Sequence, residues 1–114
     1  MIKKTFGTSL LTTNQTIYEV PLGKKAQWVL MYATNTSGST SSFTTSFYDA
    51  SKAASLLVFS DYSLSSKEFF KIGGEFNEFI SMEEGDKIIA SSSTNNAITM
   101  LVSVIEENDV IKGG

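Results

Sequence analysis

The sequence contains no cysteine, no histidine and no arginine, and its nine basic residues are all lysines. Without Cys and His there is no disulfide, no thiolate nucleophile, no imidazole base and no Cys/His zinc site. Without Arg there is no guanidinium group to grip a phosphate or a guanine edge at two points. A net charge of −3 also opposes a nucleic-acid surface, which needs clustered positive charge. We therefore expect no enzyme, no cofactor, no metal site and no nucleic-acid partner.

Long hydrophobic runs are absent as well. The longest covers residues 28–33, far short of the roughly 20 residues of a membrane-spanning helix. The stretch after Lys3 and Lys4 is interrupted by Thr5 and Gly7, before it reaches the roughly 7–15 apolar residues of a signal peptide. We expect no membrane segment and no secretion signal. The length predicts one domain, residues 1–114.

Apolar and polar residues alternate along most of the chain, which predicts β-strands. The last such segment places Ile98, Met100, Val102 and Val104 on one face. Turn residues recur roughly every 8–12 positions, as in antiparallel sandwiches. We expect an all-β fold, a single antiparallel, jelly-roll-like β-sandwich of about eight strands, with residues 108–114 as a loose tail. The predicted strands are 2–11, 16–20, 26–36, 43–48, 56–60, 67–72, 76–82, 87–93 and 97–106.

Two segments carry more specific expectations. Strict alternation in 26–36 places Trp28, Leu30 and Tyr32 on one face, with an equally apolar set on the other. This predicts a central strand covered on both sides, or by the core on one side and a partner on the other. Residues 49–55 form the one segment with helical character, and Asp49 is a candidate N-cap.

Two acidic runs are candidates for chemical sites. The run Glu83-Glu84-Gly85-Asp86 supplies some of the oxygen ligands that calcium needs, but a solvated turn capped by aspartate is the favoured interpretation. The run at 106–109 contains two adjacent glutamates, but nothing in the sequence places them across a cleft as glycoside hydrolysis requires. We interpret it as a solvated run of charge.

Candidate interface residues come from two places. The N-terminal segment, residues 1–11, is unusually apolar for a chain end, and each large side chain left in water would cost about 1.5–3 kcal/mol. It forms either an assembly arm on a neighbour's sheet edge or a first strand of its own sandwich. Phe69 and Phe70 must point to opposite faces of a strand, so one of them faces away from the core. The candidates are Ile2, Phe6, Leu10, Leu11, Phe69 and Phe70.

The order of turns and strands resembles a known family. The chain contains Tyr18-Glu19-Val20-Pro21-Leu22-Gly23, then Asn35-Thr36-Ser37-Gly38, then Glu84-Gly85-Asp86-Lys87-Ile88 and a closing valine-rich strand. Over roughly residues 15–105 this pattern resembles the small β-sandwich structural proteins of tailed bacteriophage particles. The resemblance implies a jelly-roll-like sandwich on the virion surface, assembled in the host cytoplasm, and it carries no catalytic residues.

The resemblance further implies partners and a role. The partners would be the major capsid protein or other virion proteins, together with further copies of the chain, a trimer being one arrangement. The expected role is that of a capsid decoration (cement) protein that reinforces contacts between capsomers. The alternative is a tail or fibre component whose sandwich binds a carbohydrate or receptor through exposed aromatic side chains. A cupin-like enzyme is disfavoured, because cupins hold their metal mainly through His.

Overall fold

The computed structural model describes residues 2–74 and 80–109. In this part of the chain every regular element is a strand. The nine strands are β1 (Ile2–Ser9), β2 (Gln15–Glu19), β3 (Lys24–Asn35), β4 (Ser41–Asp49), β5 (Ala54–Leu64), β6 (Phe69–Gly73), β7 (Ile80–Met82), β8 (Lys87–Ser92) and β9 (Ile98–Asn108).

The strands form two antiparallel sheets that pack face to face. The first sheet has the order β1-β9-β3-β6, and β7 also pairs with β3. The second has the order β2-β8-β4-β5. Phe6 of β1 contacts Tyr18 of β2 at one side of the sandwich, and Phe59 of β5 contacts Phe70 of β6 at the other. We call these the closed side and the open side. The predicted antiparallel β-sandwich is confirmed.

The core lies between the two sheets and is built by alternation. Ile98, Met100, Val102 and Val104 are all fully buried, as the period of two in β9 predicts. They pack against the inward faces of the neighbouring strands. The other buried apolar residues are Leu10, Tyr18, Val20, Ala26, Trp28, Met31, Ala33, Phe43, Leu64, Met82, Ile88, Ala90 and Ala97.

A β-bulge in β3 reverses its alternation. Trp28 pairs with Val104 while Leu30 pairs with Ser103, so Val29 is an extra residue without a partner on β9. After such a bulge the faces exchange, and Trp28 and Met31 are both buried while Leu30 faces outward. The prediction that Trp28, Leu30 and Tyr32 share one face is therefore wrong. An apolar strand gives the sequence no sign of where it bulges.

The predicted helical turn at 49–55 is absent. The amides of Lys52 and Ala53 donate to carbonyls three residues earlier, as a helix start would. Ala53 then takes a φ of 50°, and β5 begins at Ala54. The Asp49 carboxylate accepts hydrogen bonds from the amide and hydroxyl of Ser51. This is a local aspartate turn, which competes with helix formation.

The sequence predicts an assembly arm or a first strand at residues 1–11 and a loose tail at residues 108–114, and the structure describes these two ends to different extents. Residues 2–9 pair with β9 of the same chain along their whole length, so the first strand of the chain's own sandwich is the alternative observed. At the other end β9 extends to Asn108, and residues 110–114 lie outside the described residues. Of the predicted strand 76–82, residues 80–82 form β7 and the preceding four lie outside the described residues.

Candidate interaction surface

Three of the six candidate interface residues expose their side chains. Phe69 is 62% exposed on the edge strand β6, Ile2 is 56% exposed at the start of β1, and Leu11 is 37% exposed just after it. Phe69 and its neighbour Tyr32 form a tilted ring pair, with centroids 6.5 Å apart. These three side chains are available to a partner, and their role in an interface remains a prediction.

The other three candidates pack within the chain's own sandwich. Leu10 is fully buried in the core, so its placement at an interface is corrected. Its amide donates to the carbonyl of Ile98 at the start of β9, and its carbonyl accepts the amide of Asn96, so the backbone of Leu10 is held against this part of the chain. Phe6 is half-buried, with its ring 5.1 Å from that of Tyr18. Phe70 points inward, so the expected split between Phe69 and Phe70 is present.

Most of the exposed large apolar residues gather on the open side. They belong to β5, β6 and β7, the strands at the free edges of the two sheets. Leu57 on β5 is the least covered of them, at 65% exposed, followed by Phe69 at 62% and Leu56 at 60%. Exposed apolar side chains concentrated on neighbouring strands in this way are typical of interaction surfaces. We define the open-edge patch as Leu56, Leu57, Tyr62, Phe69, Ile72 and Ile80.

A cavity opens between the two sheets beside this patch. Its volume is about 210 Å³, and its lining includes Trp28, Met31, Phe59, Ile72 and Ile80. The described residues that line it are predominantly apolar, and none of them carries a group suited to acid–base chemistry. The cavity lies beside the bulge of β3, since Val29 is part of its lining. It therefore offers space for an aliphatic side chain rather than a reaction centre.

An aromatic cluster closes the rest of the open side. Phe43, Phe59, Tyr62 and Phe70 bring rings from both sheets together, with centroids 4.5 to 6.3 Å apart. Several of the pairs are edge-to-face or tilted, the arrangements that aromatic rings favour. This cluster holds β5 against β6, and so gives the exposed side chains around it a rigid base.

The closed side carries a buried carboxylate. Glu106 of β9 is only 2% exposed, so the prediction that 106–109 is a solvated charge run is wrong at this position. Its Oε2 accepts a 2.6 Å hydrogen bond from the Tyr18 hydroxyl. Its Oε1 lies 3.0 Å from the Nζ of Lys4 on β1. Glu106 therefore joins β1, β2 and β9, whereas its neighbour Glu107 makes a half-exposed ion pair with Lys25.

Burial and hydrogen bonding act in opposite directions on Glu106. Burial raises the pKa of its carboxyl group, but the hydrogen bond from Tyr18 and the contact with Lys4 lower it. The charge of Lys24 adds to the lowering, and the net pKa lies below the ordinary value of 4.5. Burial raises the pKa of the Tyr18 hydroxyl, and the bond to Glu106 raises it further. The pair is thus a charged acceptor and a neutral donor at neutral pH.

The acidic turn at 83–86 is held by Asp86. Its Oδ1 accepts the amide of Ala50 and its Oδ2 accepts the amide of Glu83, both at 2.9 Å. Asp86 is buried, so it caps the turn as expected but does so out of solvent. Gly85 has a φ of 86°, which suits glycine at the tight bend. The described residues contain no group of acidic side chains arranged to hold a metal ion.

Asn35 organises the loop between β3 and β4. Its side-chain amide donates to the carbonyls of Ser39 and Leu64, at 2.8 and 2.9 Å. Its side-chain oxygen accepts the amide and hydroxyl of Ser37. Asn35 is fully buried, and these four bonds satisfy it. The segments 35–38 and 85–86 therefore have a structural role, because Asn35 and Asp86 hold the turns in which they lie through hydrogen bonds.

Comparison with known proteins identifies a fold. No protein-family model and no curated protein matches the chain. Among solved structures, it is similar to a chain in the acid-stable capsid structure of the Helicobacter pylori bacteriophage KHP30. The match covers 94% of this chain and 92% of that one, with a TM-score of 0.51 and 12% identity. Separately, the described residues contain no helix that could cross a membrane.

Proposed function

We propose that the chain is a structural protein of a tailed-phage virion, and specifically a decoration (cement) protein that reinforces contacts between capsomers. The observation that carries the proposal is the likeness in fold to a chain of a phage capsid structure, over almost the full length of both chains. The turn and strand pattern over residues 15–105 independently resembles small phage sandwich proteins. The first argument compares folds and the second compares sequence patterns. They are separate because the identity to the capsid chain is only 12%, so the likeness in fold does not follow from likeness in sequence.

The physical properties of the surface suit such a role. A decoration protein acts by burying surface between neighbours, and so it needs a rigid module with apolar side chains at its surface. The open-edge patch supplies these side chains, and the two sheets and their aromatic cluster supply the rigidity. Ile2 and Leu11, near opposite ends of β1 on the closed side, are further exposed apolar side chains.

The test uses capsid shells of the phage that encodes the chain, prepared without this protein. Purified chain is added over a concentration series, and bound protein is measured by co-sedimentation. The expected result is saturable binding at a fixed ratio to the major capsid protein, with a higher melting temperature of the shell. Absence of binding to the shell would overturn the decoration role.

Variants locate the contact face in the same assay. Replacing Phe69 or Ile2 by lysine puts a charge on an exposed apolar position without altering the core. Each variant is compared with Leu22→Lys, because Leu22 is 86% exposed on the turn between β2 and β3 and belongs to neither candidate face. Weaker shell binding for one face and unchanged binding for the control would identify the contact.

The alternative, a tail or fibre component, is distinguished by position on the particle. The Tyr32–Phe69 ring pair on the outer face of the first sheet is the feature that favours it, because exposed rings can stack on sugars. Gold-labelled antibody on intact particles would mark the tail rather than the head. Glycan binding that Phe69→Ala abolishes would support this alternative over shell decoration.

A further inference from the structure

The strand β1 has little attachment to the rest of the sandwich. Six of its eight residues are exposed, and the other two, Phe6 and Thr8, are half-buried. Among the described strands, β1 pairs with β9 alone. Segments with few buried apolar contacts and exposed backbone hydrogen bonds open more easily than the core of the same protein. Because β1 has both properties, we expect it to separate at a lower free-energy cost than the other described strands.

We propose that β1 is a detachable strand, which leaves β9 and returns while the other eight described strands stay folded, and that the ion pair between Lys4 and Glu106 holds it in place. The attached form is the first strand of the chain's own sandwich, and the released form is an extended arm of residues 2–9. These are the two arrangements between which the sequence does not decide. The proposal concerns the chain alone and does not depend on the proposed function.

The contact between Lys4 and Glu106 is the charged attachment of β1. The Nζ of Lys4 lies 3.0 Å from Oε1 of Glu106, and beyond this ion pair Oε1 has no hydrogen-bond partner. The Lys4 side chain is 43% exposed, whereas that of Glu106 is 3% exposed. Release of β1 moves the ammonium group into water and lets water reach the carboxylate, which keeps its bond from Tyr18. Breaking this ion pair therefore costs less than breaking one in a fully enclosed core.

The weakly attached segment ends at Leu10. Within the strand, the ring of Phe6 lies 5.1 Å from that of Tyr18, which is the one ring contact of β1 among the described residues. Leu10, directly after the strand, is fully buried, and its amide donates to the carbonyl of Ile98. The boundary between the exposed strand and the anchored core therefore lies between Ser9 and Leu10.

Every second amide in the first half of β9 points to β1. The amide of Leu10 donates to the carbonyl of Ile98, which continues the register of β1 and β9 by one residue. In an antiparallel ladder, the residue pairs that exchange backbone hydrogen bonds alternate with pairs that do not. The amides of Met100 and Val102 therefore point to β1, and we call them the β1-facing amides.

The amides in between point to β3. The amide of Thr36 donates to the carbonyl of Ala97, which continues the register of β3 and β9 by one residue. By the same alternation, the amides of Thr99 and Leu101 point to β3, and we call them the β3-facing amides. Release of β1 would free the β1-facing amides from their acceptors and leave the β3-facing amides bonded.

Amide hydrogen exchange, measured by NMR on the full chain, tests the proposal. The β1-facing amides are expected to exchange at least about tenfold faster than the β3-facing amides, after correction for the intrinsic rate of each residue. Low concentrations of urea should barely change the faster rates, because the separation of one strand exposes little surface. Equal rates and equal urea dependence in the two sets would overturn the proposal, since β1 would then leave only when the whole sandwich unfolds.

A disulfide that ties β1 to β9 provides the control. The hydroxyl oxygens of Thr5 and Ser103 are 2.8 Å apart, and the sequence has no cysteine of its own. These residues face each other in a pair without backbone hydrogen bonds, where the side chains lie closest, so Thr5→Cys with Ser103→Cys suits a disulfide. Once intact mass confirms the bond, the β1-facing amides should exchange as slowly as the β3-facing amides, and reduction should restore the difference. Fast exchange that persists in the oxidised variant would contradict release of β1.

A pair of lysine variants tests the attachment. Lys4→Met should speed the exchange of the β1-facing amides about fivefold, because the ion pair is lost from the attached form alone. Lys3→Met is the matched control, since it removes the same charge from the neighbouring residue, which alternation places on the opposite face of β1. The β3-facing amides should be unchanged in both variants. Equal acceleration by the two substitutions would overturn the role given to the contact between Lys4 and Glu106.

Discussion

The hydroxyl of Tyr18 donates a 2.6 Å hydrogen bond to the carboxylate of Glu106, and the two residues belong to different sheets. They are 88 positions apart in the chain. The bond therefore closes a long loop and ties β2 to β9 at one side of the sandwich. Because Lys4 contacts the same carboxylate, the first strand is held at this point as well.

Replacing Glu106 by alanine should lower the free energy of unfolding by about 3 kcal/mol. The change leaves the buried Tyr18 hydroxyl without its acceptor and removes the counter-charge of Lys4. Urea denaturation at neutral pH measures the effect. Glu107→Ala is the matched control, since its partner Lys25 is half-exposed and the ion pair contributes less than about 1 kcal/mol. Equal losses in the two variants would contradict a special role for Glu106.

The same carboxylate predicts how stability responds to acid. The pKa of Glu106 is lowered on folding, so its contribution is complete above the ordinary value of 4.5 and is lost as the pH falls through the lower folded value. As far as Glu106 is concerned, the free energy of unfolding should be constant between pH 7 and about pH 5 and should decrease below about pH 5. Glu106→Gln should flatten part of that decline.

A residual acid dependence is expected in Glu106→Gln. The hydroxyl and amide of Ser51 lower the pKa of Asp49 as well, and its effect has the same sign. Asp49→Asn combined with Glu106→Gln should therefore be flatter than either single variant. Glu107→Gln serves as the reference. If it flattens the curve as much as Glu106→Gln, the buried pair is not the source.

Asn35→Ala should destabilise the chain by about 3 kcal/mol, because it leaves the loop before β4 without its central anchor. Four hydrogen bonds are lost, one of them to the carbonyl of Leu64. Thermal unfolding compares this variant with Asn14→Ala, which replaces an exposed asparagine and should change stability by less than about 0.5 kcal/mol. A small effect at Asn35 would mean that the loop holds its shape without it.

Gly73→Ala should be costly, by more than about 2 kcal/mol. Gly73 has a φ of 92°, and a Cβ there would lie 2.3 Å from the carbonyl oxygen of Val29. The bulge of β3 would have to move, and the cavity beside it would change shape. Gly38→Ala is the control, because a Cβ at Gly38 meets nothing within 4 Å. Chemical denaturation of the two variants side by side tests the difference.

Alternation predicts the strands well because burial against a single core has a period of two. The face of β9 that contains Ile98 and Val102 is predicted correctly for this reason. The bulge at Val29 is not predictable, since every residue around it is apolar and either face would satisfy the pattern. The sequence predicts a helical turn at 49–55 because Asp49 is a candidate N-cap, whereas in the structure its carboxylate binds Ser51 in a local turn.

The interaction surface is harder to predict from the sequence than the fold is. Leu56 and Leu57 lie in a predicted strand, but only the order of strands reveals that β5 is an edge. The sequence predicts a solvated Glu106 because its partners, Tyr18 and Lys4, are far away in the chain. The edge position of β5 and the burial of Glu106 both depend on contacts between residues far apart in the chain, which a local sequence pattern does not contain.

The pairing of β1 with β9 also has a mechanical consequence. The two strands run in opposite directions, with Ile2 beside Glu106 and Ser9 beside Thr99. A pulling force applied between Ile2 and Asn108 would separate the paired residues of the two strands one after another, starting at the end that contains Ile2. The sandwich should therefore unfold at a low force when it is pulled through these two residues. The unfolding force should be higher when the pull is directed across its long axis.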